Sequence, residues 1–189
     1  MDIKTPEELL NFMSNNINYG YLGRSGRVYH YNDSDFDESW YSEYILESSI
    51  DLFKNLYGNC FDQVEFERDW FINNNYDVKT IYEMVKLDYK NDYPTHSFLV
   101  FKNKNGKWCW FENADFNNRG IHEFNSFADL IKYQYNKYLK FLRTFNISDD
   151  EIRSIIMTEF NKPKSHISAS EYLNHVTSSK SINLKEQDK

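Results

Sequence analysis

The chain has 189 residues, 40% of them hydrophobic and 18% aromatic, and its 22 Lys and Arg against 29 Asp and Glu leave a formal charge of −7. That length suits one domain, and the acidity, with a pI near 5.3, removes the basic footprint that grips phosphate backbones, so nucleic acid is not an expected partner. Fifteen Tyr, fifteen Phe and four Trp supply ample core, each buried aromatic taking about 150–250 Å² out of water, which excludes disorder for most of the chain.

No apolar run approaches the roughly 18 residues of a transmembrane helix, and the start, MDIKTPEELL, carries acids where a signal peptide has a basic region. The expectation is a soluble, cytoplasmic protein with no membrane partner. Cys60 and Cys109 are the only two cysteines; their wide separation matches neither a metal knuckle nor a disulfide framework.

Thr5-Pro6-Glu7-Glu8 reads as a helix start, with a hydroxyl cap, proline in the first turn and Glu8 placed to close a capping box; the helix runs to about Asn15. Gly20, Gly23 and Gly26 stand at three-residue intervals, but no Gly-Lys-Ser/Thr follows them, so they read as turns and not as a phosphate loop. Residues 27–40 read as an irregular segment or short hairpin. Apolar spacing predicts a helix from Ser42 to Leu56, closed by Gly58 as a left-handed cap, and a second helix from Cys60 to Asn73. Tyr76 to Asp88 fits a helical stripe or a strand.

Pro94 to Phe101 reads as a strand, Asn103-Lys104-Asn105-Gly106 as a turn and Lys107 to Phe111 as the partner strand. Alternation places Trp108, Trp110 and Glu112 on one face and Cys109 and Phe111 on the other, which makes Cys109 structural. Ser126 caps a helix from Phe127 to about Phe145, and Ser148-Asp149-Asp150-Glu151 opens another that stops before Pro163. The expected organisation is a single domain over residues 1–175 with a disordered tail over 176–189.

A helix N-terminus favours a thiolate through its unpaired N–H groups, and Gly58-Asn59-Cys60 ahead of a helical run puts Cys60 there. His96 opens the first hairpin strand and Glu112 lies near the end of the second, so pairing of the strands can bring them together. The order is nucleophile, base, orienter. Asp62, Glu65 and Glu67 follow the thiol closely; helical spacing sets Val64 beside Cys60 and turns Asp62 aside.

These segments, Tyr57-Gly58-Asn59-Cys60-Phe61, Thr95-His96-Ser97-Phe98 and Gly106-Lys107-Trp108-Cys109-Trp110-Phe111-Glu112, resemble the transglutaminase-like branch of the papain-like superfamily. That family has a Gly-x-Cys followed by an aromatic, a His starting a strand, and an aromatic-rich strand ending in a catalytic Asp. The resemblance spans about Gly58 to Asp115, less than a third of the chain. It implies an α+β fold in which a Cys-bearing helix packs on a small antiparallel sheet with extra helices on the C-terminal side. It also implies amide, peptide or isopeptide chemistry through a thioester, without cofactor. Cys60 matches the nucleophile, His96 the base and Glu112 the acid. Glu stands where the family has Asp, which leaves Asn113 or Asp115 as alternative orienters, and Phe61 replaces the usual Trp or Tyr.

The chemistry also needs an oxyanion hole. The Cys60 N–H is one candidate donor; Tyr21 and Trp40, from the upstream aromatic segment, are candidates for the second. Trp110 is expected in the core or the cleft wall. His30, His122, His166 and His175 have no partners at ligand spacing, so no metal site is expected. The plainer alternatives are Cys60 as a small buried hydrophobe, His96 satisfied by a carbonyl and Glu112 in solvent, in which case the fold is an inactive binding or regulatory protein. The expected partner is a peptide, a protein or a small amide.

Overall fold

The chain runs from an N-terminal helix into a short hairpin and then through three helices into the main sheet. The structure is a computed structural model and describes residues 3–85, 94–145, 147 and 155–183. In α1 (Pro6–Asn16) the Thr5 side chain accepts the Glu8 N–H at 3.2 Å. The Glu8 carboxylate reaches past Thr5 to the Lys4 N–H at 2.7 Å, so the expected capping box is shifted by one residue. β1 (Gly20–Leu22) and β2 (Val28–His30) form an antiparallel hairpin, and Gly26 in its turn takes the left-handed backbone, φ 80°, that favours glycine.

The single helix expected over 42–56 is instead two. α2 (Phe36–Glu43) ends before Tyr44, and α3 (Ser49–Asn55) starts afresh at Ser48, whose side chain accepts the Asp51 N–H. Between them the chain is extended, Tyr44 bridging Gly23 and Ile45 bridging Ser168, with Leu46 N–H donating to Ile167 O at 2.9 Å. Tertiary pairing wins over helical spacing because it buries Tyr44 and Leu46 completely, while Ile50 and Phe53 of the apparent apolar stripe stay exposed. The left-handed residue that ends α3 is Leu56, φ 60°, and not Gly58. Gly58 is needed for space: a Cβ there would lie 2.5 Å from Leu52 Cδ1 and 3.0 Å from Asp62 Cβ.

α4 (Cys60–Asn73) matches its expected limits, and a capping box of Asn59 and Asp62 closes its start. The ambiguous segment after it is a strand, β3 (Val78–Val85). β4 (His96–Lys102), β5 (Trp108–Glu112) and β6 (Gly120–Phe124) continue the sheet. α5 (Phe127–Arg143) follows, with the Ser126 side chain accepting the Asp129 N–H. The helix expected before Pro163 is overturned where it can be seen: Ile155–Phe160 is strand β7, and residues 148–154 lie outside the described residues. Met157 packs with Ile81 and Phe98 on one face and Phe160 with Tyr82 and Leu99 on the other, a two-sided burial that period-two geometry supplies.

The expected tail is also partly overturned. α6 (Ala169–Thr177) and β8 (Lys180–Ser181) carry ordered chain to residue 183, with Tyr172 and Val176 fully buried; residues 184–189 lie outside the described residues. The expected boundary at 175 therefore cuts through a helix. The architecture is α+β, with a six-stranded antiparallel sheet in the order β6-β5-β4-β3-β7-β8. α4 covers one face over Leu99, Phe101, Cys109 and Phe111, and α5 covers the other over Phe98, Val100 and Trp110. Among the described residues no helix is long and apolar enough to cross a membrane.

Candidate active site

Cys60 is the first residue of α4 and is 4% exposed. The Asn59 side chain takes the N–H groups of Phe61 at 2.9 Å and Asp62 at 3.4 Å. Gln63 donates from Nε2 to Gly58 O at 2.7 Å, and its Oε1 accepts Asn113 Nδ2 at 2.7 Å. A buried strut thus ties the loop that carries the thiol to the end of β5.

His96, at the start of β4, places Nε2 2.7 Å from Glu112 Oε2. Cys60 is close enough to the same ring for its charge to act on the imidazole. Glu112 is 2% exposed, and its second oxygen accepts the Asp115 N–H at 2.8 Å. The three residues singled out by the sequence therefore meet, in the order thiol, imidazole, carboxylate.

The alternative orienters have other work. Asn113 belongs to the strut. Asp115 accepts Asn117 N–H at 3.2 Å and Asn118 Nδ2 at 2.8 Å and pairs with Lys137 at 3.2 Å, shaping the loop behind Glu112. Trp110 is no cleft wall: it is fully buried on the α5 side, stacked on His122 at 4.6 Å. Tyr21 is stacked on Tyr29 at 4.8 Å and its hydroxyl donates to Phe36 O at 2.9 Å, so it has no proton for an oxyanion. Trp40 stacks on Tyr44 at 5.3 Å and lies 5.7 Å from the Phe61 ring, on the flank behind the residue that follows Cys60. Cys109 is buried on the α4 side, and both cysteines are free.

Sequence reasoning missed Tyr19. It lies close enough to Cys60 for the phenol and the thiol to feel each other's charge. The pairing that puts it there is a parallel bridge between Asn18 and Tyr57, a contact between segments that carry no shared local signal.

Electrostatics at the site follow from burial and from the His–Glu contact. Burial pulls the His96 imidazolium down, but Glu112 and Cys60 outweigh it and hold His96 well above the ordinary imidazole range. The acids after the thiol are buried too. Asp62 is turned away from Cys60 to accept Tyr44 Oη and Glu47 N–H, both at 2.9 Å, and burial pushes its carboxyl up to about 8. Burial, reinforced by Glu112, likewise pushes Glu67 well above the ordinary carboxylate range. Among the described residues no three His, Cys, Asp or Glu side chains group as metal ligands. No protein-family model matches the chain, and no curated protein matches it in sequence.

Proposed function

We propose that the protein is a cysteine-dependent hydrolase or acyltransferase that cleaves an amide, peptide or isopeptide bond through a thioester, in the manner of the transglutaminase-like branch of the papain-like superfamily. The observation that carries this reading is the position of His96, 2.7 Å from Glu112 and near enough to Cys60 for the thiol's charge to act on the imidazole. The Cys-bearing helix packed on an antiparallel sheet, with base and acid on its strands, supports the finer fold assignment.

In this reading His96 takes the Cys60 proton and the thiolate attacks the carbonyl carbon, forming a C–S bond and moving the carbonyl electron pair onto oxygen. The intermediate collapses as the C–N bond breaks, and the imidazolium gives its proton to the departing amine. Water or a second amine then attacks the thioester, loses its proton to His96 and releases the thiolate. Glu112 holds the tautomer and offsets the imidazolium charge. The reaction needs no cofactor, and a peptide, a protein side chain or a small amide would serve as acyl donor.

A non-catalytic binding role on the same fold draws on one observation, the 4% exposure of Cys60. Alkylation with iodoacetamide, located by peptide mapping, separates the two readings. An activated pair labels Cys60 at pH 6–7 much faster than Cys109, and the advantage is lost in His96→Ala. Equal, slow labelling of both cysteines in both proteins would overturn the enzymatic reading.

A further inference from the structure

We propose that Lys137 is a positioning residue for the base, acting through Asp115 and Glu112 to hold the His96 ring; the assignment rests on the acyl-transfer reading above. The buried stripe of α5 is Leu130, Ile131, Gln134, Tyr138 and Leu142, and Lys137 borders it, next to Tyr138 and one turn after Gln134. An ordinary lysine at such a border lays its stem along the apolar edge and puts its ammonium in water. Lys137 turns inward instead. Its side chain is 18% exposed, and its Nζ stands 4.8 Å from the centre of the Trp110 ring and 3.2 Å from Asp115 Oδ2. Those two partners flank Glu112, one on β5 before it and one in the turn after it, so α5 grips the stretch of chain that carries the acid.

From Asp115 the contacts run on to the base without a gap. Asp115 Oδ1 accepts the Asn117 N–H at 3.2 Å, Oδ2 accepts Asn118 Nδ2 at 2.8 Å, and the Asp115 carbonyl accepts the Asn118 N–H at 2.9 Å. The turn thus closes around its own carboxylate, and the Lys137 ammonium ties that carboxylate to α5. The N–H of the same residue donates to Glu112 Oε1 at 2.8 Å, which leaves Oε2 for His96 Nε2 at 2.7 Å. A glutamate side chain turns about three bonds, so a single hydrogen bond to an imidazole leaves it room to swing. The Asp115 N–H supplies the second anchor, and Lys137 keeps that N–H in place. Burial pushes the Asp115 carboxyl up, but Lys137 and Asn118 outweigh it and hold it below the ordinary carboxylate range, so the pair is ionic at neutral pH.

Lys137→Met in the full chain tests this, because methionine keeps an apolar stem against Trp110 and removes the ammonium. The probe is the burst of p-nitrophenolate released as p-nitrophenyl acetate acylates Cys60. The expected result is a fall of about 10–100-fold, the cost of a misplaced catalytic group, with recovery to within about threefold of wild type in Lys137→Arg, whose guanidinium can pair with the same carboxylate. Asp115→Asn removes the pair from its other end and should give the same loss; it decides the matter if the helix variant does not fold. Introduced into Glu112→Gln, Lys137→Met should cost nothing further, since its path to His96 is already cut. A burst at the wild-type rate in Lys137→Met would overturn the assignment. A loss that arginine does not restore, or the same fold-loss in the Glu112→Gln background, would also overturn it, in favour of a purely structural role. Failure of the acyl-transfer reading looks different: wild type and Cys60→Ala would then release p-nitrophenolate at the same rate, and the assignment would fall with it.

Discussion

Glu112 meets His96 with one oxygen, Oε2 to Nε2 at 2.7 Å, while its other oxygen accepts the Asp115 N–H at 2.8 Å. Both carboxylate oxygens are therefore occupied by donors, so the His96 ring keeps an N–H at Nε2, and once it gives up its other proton the lone pair stands on the remaining ring nitrogen. The geometry supplies a tautomer as well as an orientation.

Glu112→Gln tests that division of labour. A glutamine has one acceptor oxygen, and the Asp115 N–H claims it, turning the amide NH₂ toward His96. The ring then accepts at Nε2, carries its proton on the nitrogen facing Cys60 and cannot act as base. Acylation of Cys60 by p-nitrophenyl acetate should fall by about 10²–10⁴-fold, the range in which a misoriented tautomer costs a nucleophile its base. An Asn113→Ala control, which breaks the strut but leaves the His96–Glu112 contact, should keep the pH dependence of that rate. Wild-type kinetics in Glu112→Gln would show that Asp115 or another group orients the base.

Much of the site was legible because its signals are local. Asn59-Cys60 ahead of a helical run, and two strands joined by Asn103 to Gly106, need only propensity and turn chemistry, and both elements appear within a residue or two of expectation. What failed depends on distant partners. Residues 44–46 look helical by spacing and are extended because Gly23 and Ser168 pair with them. Residues 155–160 become a strand because β3 and β8 flank them. The place of Tyr19 was invisible for the same reason, since only the Asn18–Tyr57 bridge sets it beside the loop that carries Cys60. The acids after Cys60 read as a favourable first turn, and nothing in their spacing announces that Asp62, Glu65 and Glu67 are all buried.

The polar composition after Tyr172 suggested a tail, yet Val176 is fully buried and its carbonyl accepts Thr158 Oγ1 at 2.7 Å. Val176→Ala should therefore destabilise the protein by about 1–3 kcal/mol, the cost of removing two buried methyl groups from a packed site. Urea denaturation measures this directly as a lowered midpoint at unchanged slope. A disordered tail would give no shift at all, so even the lower bound distinguishes the two descriptions.

Glu83 offers a test of the electrostatics behind the site. It sits directly across β3–β4 from His96 and is 1% exposed, and its Oε2 has no hydrogen-bond partner among the described residues. Burial pushes its carboxyl from 4.5 up to about 7, against the pull of Lys137 on α5 and of His96, with Glu112 and Asp115 adding to the rise. A carboxyl raised in the folded state keeps its proton longer there than in the unfolded chain. Its contribution is thus whole below the ordinary carboxylate value and is lost as pH climbs from about 4.5 toward 7 and above. A displacement of that size corresponds to about 3 kcal/mol. Glu83→Gln has no proton to lose, so the variant should gain on wild type between about pH 4.5 and pH 7 and level off above that, by at most that amount, in paired urea titrations. The other buried acids, Asp62 and Glu67, are common to both proteins and cancel in the difference. A gap that does not change with pH would mean that Glu83 is already ionised in the folded protein, held by Lys137 and His96.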